Sequence, residues 1–173
     1  MNREYIQQLS CTLQDFLINK GMVSELAIFI NIVVNGIIVL LGAGILDVIF
    51  RKIIIESFKA FSNKTITTFD DYLVKSNFPK YIAHIIPFII IWNLIPIIFI
   101  EFSFISNIFL KIANIYFIVL CIYIFRSILR TTRNFLEENE RYKDKPMESY
   151  VQVMMIFAWG IGVFLVIQLL TGY

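Results

Sequence analysis

Four apolar runs, each long enough or nearly long enough to cross a bilayer, take up about half of the chain, and no stretch of soluble-domain composition is left between them. They cover approximately Leu26–Phe50, Tyr81–Ile100, Ile108–Phe125 and Val151–Leu170. A helix rises about 1.5 Å per residue, so roughly 20 residues cross a hydrocarbon core about 30 Å thick. Apolar residues make up 58% of the chain, above the rough half of an ordinary globular domain, and the charged residues gather between the runs. A soluble globular domain is excluded. The expected fold is all-α: a polytopic membrane protein with a bundle of four transmembrane helices behind a short amphipathic N-terminal helix. The expected division is 1–21 for that helix and 22–173 for the four-span region.

A net charge of +2 is too small to argue for nucleic acid, and its distribution is more informative. Arg51, Lys52, Lys59, Lys64, Lys75 and Lys80 fall between the first two runs, and Arg126, Arg130, Arg133, Arg141, Lys143 and Lys145 between the last two. Positively charged connections stay on the cytoplasmic side, and acidic residues such as Glu137, Glu138 and Glu140 count little against them. Four spans then place both termini outside the cytoplasm. The segment Met1–Gly21 lacks the pattern of a cleaved secretory signal. It carries Tyr5, Leu9, Leu13, Phe16 and Leu17 at roughly helical spacing, as an amphipathic helix does. Cys11 and Cys121 lie in unlike surroundings and imply neither a disulfide nor a metal site.

Within the first run Asn31, Asn35 and Gly42 share a helix face. Amide and small side chains on one face suit close packing and hydrogen bonding between membrane helices, with a polar pathway as the alternative. Asp47 reads as an interfacial residue satisfied by Arg51 or by headgroup water. The stretch Thr65–Asp71 predicts a helix start, with Thr68 as the cap and Asp70 and Asp71 in the first turn. Paired aspartates could also suggest a metal, but no third ligand stands nearby. Pro87 and Pro96 predict kinks in the second span. His84, the only histidine, lies one turn before Pro87; it reads as a packing or interfacial residue, with proton sensing as the alternative. Trp92 lies too deep for an interfacial belt and reads as a packing residue.

Arg126, Arg130 and Arg133 share one face but follow the third run and do not interrupt it. That arrangement predicts contact with anionic headgroups and not a voltage sensor. Gly160 and Gly162 in the last run predict close helix approach. No nucleophile with an adjacent base, phosphate-cradling loop or metal-spaced cluster stands out, so no enzyme activity and no cofactor are expected.

Three stretches carry a family resemblance: Thr67-Thr68-Phe69-Asp70-Asp71-Tyr72-Leu73-Val74, then Lys80-Tyr81-Ile82-Ala83-His84-Ile85-Ile86-Pro87, and Met147-Glu148-Ser149-Tyr150-Val151-Gln152-Val153. In this order they resemble the membrane region of the small-conductance mechanosensitive channel superfamily, in particular its miniconductance branch, with Phe69 where that branch has tryptophan. The resemblance covers about Lys64–Tyr173. It implies a membrane-tension-sensing region of a channel that releases ions on osmotic downshock, in the plasma (inner) membrane. It also implies membrane lipids as partners and a homo-oligomer, a heptamer in that family. The family's pore helix and cytoplasmic domain have no counterpart up to Tyr173, so no pore or gate residue is carried over. The alternative is a small integral-membrane scaffold or assembly factor without transport activity.

Overall fold

The computed structural model describes residues 12–62, 64, 68–99, 102–138, 142 and 145–172. Among them there is no strand. Helix α1 runs through residues 12–19, followed by α2 (Ser24–Ser62), α3 (Thr68–Lys75), α4 (Phe78–Ala83), α5 (Ile85–Ile98), α6 (Ser103–Glu137) and α7 (Met147–Thr171). Four segments are long and apolar enough to cross a membrane: α2, α4 with α5 as one interrupted span, α6, and α7. The chain is an all-helical membrane protein. Of the amphipathic N-terminal set, Leu13 and Leu17 are half-buried and Phe16 is exposed; Tyr5, Leu9 and Cys11 lie outside the described residues.

Two helices outrun the apolar runs that predict them. Helix α2 has 39 residues, about 58 Å at 1.5 Å per residue, nearly twice a hydrocarbon core. It passes Phe50 without a break because Arg51, four residues after Asp47, pairs with it along the same helix face. Helix α6 has 35 residues and carries on past Phe125 through the three arginines to Glu137. Large apolar side chains stand exposed on α2 and α7, among them Leu40, Leu41, Ile156, Phe157 and Phe164. Helices that are apolar all round find a compatible solvent in lipid.

The breaks have local causes. Asn77 adopts the left-handed conformation, φ 64°, which asparagine tolerates better than most residues, and it separates α3 from α4. Pro79 then lies in the first turn of α4, where a missing N–H costs nothing. Pro87 cannot donate to the carbonyl of Ala83 and its ring crowds that carbonyl, so the span parts at His84, whose N–H turns back to Tyr81 at 3.2 Å. Pro96 lies inside α5, which ends two residues later. Gly172, φ 78°, closes α7 with its N–H on the Gln168 carbonyl at 3.0 Å.

The chain divides into two compact units. The first comprises the described part of Met1–Leu46 with Pro87–Ala113. Its best-buried aromatic, Phe99, stacks on Phe109 with ring centroids 5.1 Å apart. Asn31 is buried there, and its amide donates to Gln14 Oε1 at 3.4 Å while accepting from Asn35 at 3.2 Å. The second unit comprises Asp47–Ile86 with the described part of Asn114–Tyr173. Phe58 meets Phe78 edge-on, and Tyr81 stacks on Tyr123, which meets the edge of Trp159. Four helices of this unit are thus joined by rings.

Candidate functional site

The second unit gathers the polar groups that a membrane protein can least leave unpaired. The arginine-bearing end of α6 turns one face to α3, and hydroxyls fasten it there. Ser127 donates to the Ser76 carbonyl at 2.7 Å. Thr131 shares its proton between the Ser127 carbonyl at 3.0 Å and the Tyr72 carbonyl at 3.3 Å. Both residues are almost wholly buried. One turn further on, Phe69 meets the edge of Phe135 at 5.5 Å. The pairings 76 with 127, 72 with 131 and 69 with 135 make the two helices antiparallel. The Ser76 carbonyl, just past the end of α3, receives a donor from α6, and the Tyr72 carbonyl, already bonded to the Ser76 N–H at 2.9 Å, receives a second.

A second fastening is ionic. Asp47 accepts from Arg51 on its own helix through one oxygen, and its other oxygen lies against Nδ1 of His84 at the break between α4 and α5. The carboxylate and the imidazole are about one-fifth exposed. A carboxylate withdrawn this far from water needs compensation; Arg51 supplies a hydrogen bond, and the His84 ring stands beside the other oxygen. The sequence pairs Asp47 with Arg51 correctly but gives no sign of His84, because a contact between distant segments leaves no local pattern.

The residues expected to cap α3 are used differently. Thr68 is the first residue of the helix and its hydroxyl donates to Glu138 at 2.8 Å. The residue before it, Thr67, lies outside the described residues. Asp71 accepts from Ser62 at the end of α2, so it ties two helices together, and Asp70 stays in the acidic first turn. Among the described residues no group of three or more His, Cys, Asp or Glu is placed to hold a metal ion.

The packing glycines separate into two kinds. A Cβ at Gly162 would come within 2.5 Å of Ile122 Cδ1, so α6 and α7 do approach closely there. A Cβ at Gly42 or Gly160 would meet nothing within 4 Å; the close approach expected at these two positions is absent among the described residues. Asn31 bonds to Asn35 one turn on and to Gln14 of α1, a rung between α1 and α2.

Arg126, Arg130 and Arg133 line one side of a crevice of about 410 Å³, with Glu148, Val151, Gln152, Met155 and Trp159 of α7 opposite. Arg133 is shared between Glu137 at 3.5 Å and Glu148 at 3.9 Å. Arg126 and Arg130 meet no carboxylate among the described residues. Nearer the middle of the same two helices lie an apolar groove of about 510 Å³ around Cys121 and Phe157 and a smaller one of about 140 Å³ beside Trp159 and Gly162. No protein-family model, curated protein or solved structure matches the chain. What the geometry offers is fastening between helices and an electropositive crevice. The sequence missed Ser127 and Thr131; the available signal was two hydroxyl residues one turn apart, beside the arginine face.

Proposed function

We propose that this chain is the membrane-tension-sensing region of a mechanosensitive ion channel that releases ions on osmotic downshock, of the small-conductance superfamily and its miniconductance branch. The observation that carries this reading is where the three resembling stretches lie. Each makes a contact between separate helical segments: Asp71 with Ser62, His84 with Asp47, and Glu148 with Arg133. A stimulus shifts an equilibrium only by as much as it distinguishes the two states. Helices with broad apolar faces, held together by a few polar fastenings and broken at His84, can differ in membrane area between a fastened and a loosened state. Tension favours the larger. In this reading both basic segments face the cytoplasm, both ends of the chain lie outside, and the partners are lipids and further copies of the chain, as a heptamer.

The test is a distance measured under altered bilayer stress. Spin labels at Lys59→Cys on α2 and Lys75→Cys on α3, in a chain lacking Cys11 and Cys121, report the segments joined by Ser62 and Asp71. Lysophosphatidylcholine added to one leaflet of phosphatidylcholine liposomes should change their separation, and albumin should reverse the change. An unaltered separation would refute tension sensing and favour the scaffold alternative.

A further inference from the structure

We infer that the crevice between α6 and α7 binds one anionic phospholipid, its phosphate on Arg126 and Arg130 and an acyl chain along the apolar groove beyond Trp159. The inference goes beyond tension sensing and needs only that the chain is inserted in a membrane.

Charge argues first. The crevice presents three guanidinium groups and one lining carboxylate, Glu148, whose side chain is 74% exposed and therefore turned largely to water. Arg133 is occupied by acids, whereas Arg126 and Arg130 have all their donors available among the described residues. Guanidinium groups bind phosphate oxygens in pairs of parallel hydrogen bonds, and basic pockets between membrane helices suit anionic headgroups.

Shape selects the lipid over a free anion. Trp159 lines both the arginine crevice and the neighbouring groove formed with Ile118, Val119, Gly162 and Val163. The ring is seated against Tyr123 at 6.4 Å and stands where polar lining gives way to apolar lining. A headgroup phosphate would be followed directly by hydrocarbon. Inorganic phosphate would use only the polar half and leave the groove without an occupant of matching chemistry.

The chain has two tryptophans, so Trp92→Phe leaves Trp159 as the only one, placed at the junction. This variant is reconstituted in phosphatidylcholine nanodiscs containing a minor fraction of phosphatidylglycerol or of phosphatidylcholine, each with brominated acyl chains that quench tryptophan. Brominated phosphatidylglycerol should quench at a several-fold lower fraction than brominated phosphatidylcholine, and added salt should narrow the difference. The Arg126→Gln/Arg130→Gln pair should remove the preference, while Arg126→Lys/Arg130→Lys should keep most of it, with helix content followed by circular dichroism. Equal quenching by the two lipids would overturn the proposal, as would a preference that survives the glutamine pair. Equal quenching by the two lipids, together with binding of glycerol 3-phosphate to the detergent-solubilised chain, would assign the crevice to a free anion and sink the lipid. Should the glutamine pair lose helix content, the salt titration of the Trp92→Phe chain decides: a preference indifferent to salt refutes the proposal.

Discussion

Gly160 and Gly162 stand two residues apart on one helix, and only the second has a neighbour where its side chain would be. A small residue marks where helices can approach, not where they do. Gly160→Leu is expected to change stability by less than about 0.5 kcal/mol, as for open surface sites. Gly162→Leu must displace Ile122 and should cost about 1–3 kcal/mol, measured by thermal melts in detergent. The buried hydroxyls form a second pair of unequal cases. Ser127→Ala and Thr131→Ala each remove a donor from a carbonyl at the end of α3 and should each cost about 1 kcal/mol. Thr68→Ala removes a bond to an exposed carboxylate and should cost well under half as much in the same melts. Asp71→Asn should be mild, since an amide oxygen still accepts from Ser62; Asp71→Leu should be worse.

At the scale of elements, the interruption of the second span determines where His84 lies. Pro87 parts α4 from α5, and the residue at the gap, His84, lies against Asp47. Pro87→Ala returns the missing backbone donor and should let the helix run through. His84 would then leave Asp47, so His84→Gln should cost less in the Pro87→Ala background than in the native chain. A double-mutant cycle by denaturant or thermal unfolding measures this, with a coupling of about 0.5–3 kcal/mol expected for residues in one network. The spans and their breaks were legible in the sequence because transfer of apolar side chains into lipid and the chemistry of proline act locally. The lengths of α2 and α6 were less legible, since a charged residue ends an apolar run without ending a helix. Asp47 with His84, and Ser127 with Ser76, were not legible at all, because each depends on which segment docks where.

For the whole molecule, four spans and two basic connections predict an orientation that can be tested directly. Cysteines at Lys64 and Lys145, in a chain lacking Cys11 and Cys121, should resist an impermeant thiol reagent in intact cells and react after lysis. Labelling of both before lysis would invert the orientation that the basic residues imply. The candidate site was half legible on this scale. The three arginines announce themselves by spacing, whereas the Trp159 wall that turns them into a crevice comes from α7, across a charged connection.

The antiparallel seam between α3 and α6 works like a vernier. Its donors, Ser127 and Thr131, repeat at one helical turn, and so do their acceptors, Tyr72 and Ser76. Marks of equal spacing agree in more than one alignment: if α3 moved by one turn, about 5.4 Å, Ser127 would meet the Tyr72 carbonyl and Thr131 that of Thr68. These two hydroxyl bonds alone therefore hold the helices together without deciding where along each other they stop. The unrepeated marks are the aromatic pair, Phe69 against Phe135, and the exposed bond from Thr68 to Glu138, and with them α3 has a single resting position. That assigns Phe69, the residue at the tryptophan position of the resembling stretch, the part of an index pin: its loss would leave the helices attached, with only the exposed Thr68–Glu138 bond to keep them from slipping by whole turns.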